Sequence, residues 1–131
     1  MEKTIYVASK IENLRKIEKF VDEISIECKL SSEIYGNVLI ATLEAANNAI
    51  VHGNKLNENV DVAVKAFCDD KRINIIVEDK GFGFDYKNIP DPTAPENIEN
   101  VTGRGIFLME KLSDEIIFEK NGSIVKLYFN L

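Results

Sequence analysis

The stretch Glu44-Ala45-Ala46-Asn47-Asn48-Ala49-Ile50-Val51-His52-Gly53 decides how this chain is read. It puts a carboxylate, Glu44, four residues ahead of a carboxamide, Asn48. On an α-helix that spacing sets both on one face, where they can converge on one metal or phosphate. Two glycine-paired stretches follow, Asp79-Lys80-Gly81-Phe82-Gly83-Phe84 and Gly103-Arg104-Gly105-Ile106. A glycine pair lets backbone approach a ligand with no side chain intervening. Taken singly, Glu44 and Asn48 would pass for a solvated helix stripe, and Asp79-Lys80-Gly81 for a plain turn after a strand. Their succession along one short chain gives them weight.

Working outward, Thr4 to Ala8 reads as an opening strand. Ser9 with Glu12 forms a capping-box pattern, after which Ile11, Leu14, Ile17, Val21, Ile24 and Cys28 recur at helical spacing. Ser31 or Ser32 caps a second helix running to about His52, with Gly53 as its stop and Tyr35, Val38, Thr42, Ala45 and Ala49 on its core side. His52, near that helix end, suits the helix dipole or a C-cap and is not read as a phospho-acceptor. Asn47 turns either to solvent or to the cleft. Val60, Val62 and Val64 alternate with polar residues, and Arg72 to Glu78 is a β-branched run, so Cys68 to Lys71 joins the two as a hairpin.

All three prolines, Pro90, Pro92 and Pro95, then fall together, and Asp85 to Thr102 reads as a long loop of the lid or binding type. A helix from Arg104 to about Leu112 precedes a last hairpin, Glu115 to Lys120 and Ser123 to Leu131, with Asn121-Gly122 as its turn. Strands grouped after helices imply an α+β two-layer sandwich, with helices on one face of a mostly antiparallel sheet.

The 131 residues fit one domain, 1–131, able to bury a core without metal or disulfide support. A 45% hydrophobic and 29% charged composition is that of an ordinary soluble protein. No apolar run approaches the roughly 20 residues of a membrane span, and Met1-Glu2-Lys3-Thr4 does not open a signal peptide. The expectation is therefore a cytoplasmic protein with no membrane contact. A net charge of −6 argues against extended nucleic-acid binding. A nucleotide remains compatible, because backbone amides, a helix terminus and Mg²⁺ carry the electrostatics locally. Cys28 and Cys68 are isolated, which favours reduced structural thiols over a zinc site or a disulfide.

From about Ile34 onward, the three opening stretches resemble the N box and the first and second glycine boxes of the histidine kinase-like ATPases. That superfamily joins gyrase-type ATPases, Hsp90, MutL and histidine kinases on the Bergerat fold. Within it the chain looks like a stand-alone anti-sigma factor serine/threonine kinase of bacterial partner switching. The resemblance implies ATP and Mg²⁺, with Asn48 as the metal-ligating amide and Glu44 as the catalytic base near the γ-phosphate. It implies that Asp79 accepts a hydrogen bond from the adenine amine, and that Gly81 admits the base. Gly83 swings the chain into an ATP lid at about 85–102. Ser123 stands where relatives carry a threonine that bonds adenine through water. Gly103, Arg104 and Gly105 open a helix and cradle the phosphates, Arg104 either adding charge or pointing outward.

The same resemblance implies transfer of the γ-phosphate to a serine of a small STAS-type antagonist protein, a sigma factor as a further partner, and a homodimer. The nucleotide-binding unit fills nearly the whole chain, leaving no helices with a phospho-accepting histidine and no transducer domain. One departure stands out. Better known sporulation-type kinases carry an arginine two residues before the second glycine box, where this chain has Val101. The alternative reading is therefore an ATP-gated protein-binding module without phosphotransfer.

Overall fold

The computed structural model describes residues 1–81 and 101–131. Five antiparallel strands form one sheet in the order β1-β2-β3-β5-β4: β1 Glu2–Ala8, β2 Asp61–Cys68, β3 Arg72–Glu78, β4 Glu115–Glu119 and β5 Ile124–Asn130. Helices α1 Leu14–Glu27, α2 Ser32–Asn48 and α3 Val101–Leu112 accompany the sheet. This is the expected α+β arrangement with an antiparallel sheet.

Alternation builds the layer. In β3, Ile73, Ile75 and Val77 are buried and the residues between them only half-buried. Val125, Leu127 and Phe129 repeat this period of two in β5, as required of a sheet with one face covered. Helix α1 lays Ile17, Val21 and Ile24 into the same core, α2 adds Val38, Ala41 and Ala45, and Ala49 follows directly after α2, all essentially inaccessible. The alanines of α2 leave room for close approach. Ser31 caps α2 as expected, accepting from the Ile34 amide at 3.3 Å.

Several sequence expectations are corrected. Ser9 is no cap, since its hydroxyl donates to the Val60 carbonyl at 2.6 Å; a short 3₁₀ turn at Ile11–Asn13 leads into α1 instead. The α-helical part of α2 stops at Asn48, and the chain continues to Gly53 as one wider π-type turn. Val60 lies outside β2. The last hairpin turns over Lys120, Asn121 and Gly122, all with positive φ, rather than over two residues. Helix α3 begins at Val101, ahead of the glycine box. Cys28 and Cys68 are joined in a disulfide rather than reduced, linking the end of α1 to the end of β2. The lid expected at 85–102 lies outside the described residues, apart from Val101 and Thr102, which belong to α3.

Candidate functional site

Three segments meet at one end of the sheet: the close of α2 with its π-type turn, the chain just after β3, and the start of α3. On α2, Asn48 is 2% exposed, and both its Oδ1 and its Nδ2 are buried without a hydrogen-bond partner among the described residues. A buried, unpartnered amide is costly, about 1–3 kcal/mol for the lost hydration. Glu44 is half-buried one turn earlier on the same face.

Helix α3 brings Gly105 against both. A Cβ there would lie 3.0 Å from Glu44 Oε2 and 3.3 Å from Asn48 Nδ2, so only glycine fits without displacing the pair. Because α3 starts at Val101, Gly103 falls in the first turn, where amides have no intrahelical acceptor, whereas Gly105 lies beyond it. The two glycines thus differ: one has an amide outside the helix's own bonding, and the other permits contact. Arg104 between them is exposed.

Asp79 follows β3 and is 5% exposed. Its amide donates to the Ser123 carbonyl at 2.9 Å, and its Oδ1 accepts from the Gly81 amide at 2.8 Å. Burial pushes its carboxyl up to about 6, against the Gly81 hydrogen bond and with a small addition from Glu78. Among the described residues no cation is paired with it, and the Gly81 amide only partly offsets the cost of burying it.

The surrounding backbone is moulded to the carboxylate. A Cβ on Gly53 would sit 2.2 Å from Asp79 Oδ2, and one on Gly81 would sit 1.8 Å from the Gly53 carbonyl oxygen. Ser123 is buried, with its hydroxyl donating to Lys120 O at 3.0 Å.

The structure therefore brings Glu44, Asn48 and Gly105 into one group, and Asp79, Gly81 and Ser123 into another. Gly83 lies outside the described residues. Sequence reasoning overlooked Gly53 as part of the site, reading it only as a helix stop, and overlooked Asn54 altogether; its position directly after the Glu44–Gly53 stretch was the available signal.

A carboxamide oxygen with no internal partner suits a hard cation that binds oxygen and keeps most of its water, as Mg²⁺ does. Among the described residues no cluster of His, Cys, Asp or Glu offers a fuller ligand set. A buried carboxylate facing glycine backbone suits a flat heterocycle bearing an N–H donor.

The family model for the histidine kinase-like ATPase domain matches residues 7–129. The chain belongs to this family. Among the relatives of this ATPase domain are proteins described as serine-protein kinase RsbW from Staphylococcus aureus strains JH9 and Newman. They are 36% identical over 97 residues, a match covering 67% of this chain and 60% of theirs. The chain thus spans less than two thirds of the length of the relatives it matches. No helix among its described residues is long and apolar enough to cross a membrane.

Proposed function

We propose that this protein is an ATP-dependent serine/threonine kinase of a bacterial partner-switching system. It would transfer the γ-phosphoryl group of ATP to a serine of a small STAS-type antagonist and, in a separate engagement, hold a sigma factor. The observation that carries the reading is the occurrence, at one end of the sheet, of the buried Asn48 amide without a partner and the buried Asp79 carboxylate without a cation, both among the described residues. Membership of an ATPase family and likeness to serine-protein kinases support it.

In this reading Asp79 accepts from the adenine exocyclic amine. Guanine presents a carbonyl at that position and would meet the carboxylate with repulsion. Gly81, Gly83 and Ser123 line the base end, while Gly103, Arg104 and Gly105 serve the phosphates. Asn48 Oδ1 is the protein ligand for Mg²⁺, which when bound neutralises phosphate charge. Glu44 takes the proton of the attacking serine hydroxyl as the new O–P bond forms and the bond to the bridging oxygen breaks, releasing ADP. The 1–131 unit acts as one domain, works as a homodimer, and resides in the cytoplasm, where Cys28–Cys68 meets a reducing thiol pool.

Val101 in place of an arginine favours a second reading, an ATP-gated binder without transfer. Purified protein with labelled Mg-ATP and a STAS-type antagonist decides between them. Phosphoserine on the antagonist, lost in Asn48→Ala, is the expected result. Nucleotide-dependent binding of the antagonist without phosphate transfer would establish the gated binder, and a Val101→Arg variant that gained transfer would locate the missing charge. Unchanged ATP affinity in both Asn48→Ala and Asp79→Asn, measured by calorimetry, would remove the nucleotide-site assignment.

A further inference from the structure

Two buried asparagines bracket the π-type turn, and they are opposites. Among the described residues Asn48 has no hydrogen-bond partner for either amide atom, whereas Asn54, 7% exposed, has its amide engaged at both ends. Asn54 Nδ2 donates to Ser9 Oγ at 2.9 Å and to Asp61 O at 3.2 Å, and Oδ1 accepts from the Lys80 amide at 2.9 Å. Its own amide donates to Ala49 O at 2.8 Å, five residues back, and its carbonyl accepts from the Asn57 amide at 3.0 Å. Ser9 is fully buried and passes the chain of bonds on to Val60 O. One side chain therefore ties together the residue after β1, the first residue of β2 and the residue after Asp79.

We propose that Asn54 is a positioning residue for base recognition: its carboxamide holds the Asp79-Lys80-Gly81 turn against the Gly53 backbone, so that the Asp79 carboxylate faces the base in one orientation. This rests on the reading of Asp79 as the adenine acceptor. The geometry gives the turn little other lateral support. Asp79 is held through its amide to Ser123 and through its own contact with Gly81, both local to the β3 and β5 ends. Lys80 is exposed, and its amide is fixed only through Asn54 among the hydrogen bonds of the described residues. The tolerance is small, because a methyl group on Gly81 would collide with the Gly53 backbone and one on Gly53 with the Asp79 carboxylate.

Only a carboxamide supplies an acceptor for Lys80 and two donors for Ser9 and Asp61 from one short side chain. A displacement of the acceptor should erase directional discrimination before it erases binding, since a shifted carboxylate accepts poorly from adenine and repels guanine less.

The test measures ATP and GTP affinities by calorimetry for wild type, Asn54→Ala, Asn54→Asp and Ser9→Ala, with amide exchange at Lys80. Wild type should protect the Lys80 amide despite the exposure of that residue. Asn54→Ala should lose that protection, bind ATP about tenfold more weakly and lose about tenfold in ATP-over-GTP preference. Asn54→Asp, which keeps the acceptor, should recover part of the preference, and Ser9→Ala should lose less than Asn54→Ala.

A purely structural role would lower the melting temperature and leave the nucleotide preference intact, and that result overturns the inference. An unprotected Lys80 amide in wild type overturns it without any variant. Wild type that binds no ATP, or binds it insensitively to Asn48→Ala, instead fails the parent reading.

Discussion

The two ends of the sheet are built on opposite terms. At the Cys68 end, the chain turns through Asp69, whose carboxylate accepts from the Lys71 and Arg72 amides at 2.8 and 3.0 Å and is held below the usual carboxylate range mainly by those bonds. Arg72 lies over the Tyr128 ring, 4.2 Å from its centroid, and pairs with Glu115 at 3.1 Å. Cys28–Cys68 fastens the helical layer to the strands there. At the Asp79 end, six or seven residues away along the strands and so roughly 20 Å distant, a carboxylate is buried without a cation and an amide without a partner among the described residues. The first end is cross-linked and its charges are paired, although Arg72 Nε and Asn74 Oδ1 there are buried without a hydrogen-bond partner among the described residues. The second holds a buried carboxylate with no cation and a whole side-chain amide with no partner among the described residues, and that difference in charge pairing is what the proposed site builds on.

The largest expected effect breaks the comparison at its functional end. Glu44→Gln removes a proton acceptor and keeps the side-chain shape, so transfer to the antagonist should fall about 10²–10⁴-fold while ATP affinity stays nearly level. Equal loss of binding and turnover in a radiolabel and calorimetry series would deny Glu44 the role of base.

At the other end, the cross-link closes 40 residues of sequence separation. Cys28→Ser should lower unfolding free energy in urea by about 2–4 kcal/mol, with ATP affinity unchanged. A matching fall in affinity would mean that the two ends are mechanically coupled.

Asp79→Asn sharpens the contrast with opposite signs for stability and function. Between the ordinary carboxyl value of 3.8 and about 6, the folded chain keeps a proton that the unfolded chain has released. Stability therefore falls as pH rises through that window and is level above it, by an amount on the order of 2–3 kcal/mol. The variant should be more stable than wild type at pH 8 by about 1–3 kcal/mol, should show no such slope, and should lose adenine selectivity worth about 1.5–3 kcal/mol. Wild-type ATP affinity, referenced to the variant, should rise as pH passes about 6, because the ionised carboxylate is the better acceptor. Denaturation and calorimetry at pH 4, 6 and 8 check both signs. A stability slope of the opposite sign would mean that the carboxylate is paired rather than stranded.

The smallest expected effect is a control. Ser31→Ala removes the α2 cap, far along the helix from Asn48, and should cost about 1 kcal/mol in thermal unfolding with nucleotide binding untouched.

Helix and strand assignments were legible where periodicity ran unbroken. Arg72 to Glu78 was placed without error because its alternation is strict and a polar turn precedes it. Errors collected where a side chain had a distant partner. Ser9 has the pattern of a capping residue, yet Val60 and Asn54, brought close by the pairing of β1 with β2, capture its hydroxyl. Glu44 and Asn48 were legible as one helical face, but that Gly105 presses on them was not, since contact between α2 and α3 depends on the whole layer.

The sequence by itself determined the α+β class, the strand and helix order, and the residue types that a nucleotide site requires, because these follow from local spacing and side-chain chemistry. Tertiary structure alone decided which of those residues lack partners. Asn48 and Asn54 are the same residue type a few positions apart, and among the described residues one has no partner while the other has three. The disulfide is of the same kind: two cysteines isolated in sequence become neighbours only when α1 docks beside the end of β2. Hydrogen-bond satisfaction and thiol proximity are properties of what surrounds a group in space, and for these residues the surroundings come from segments remote along the chain.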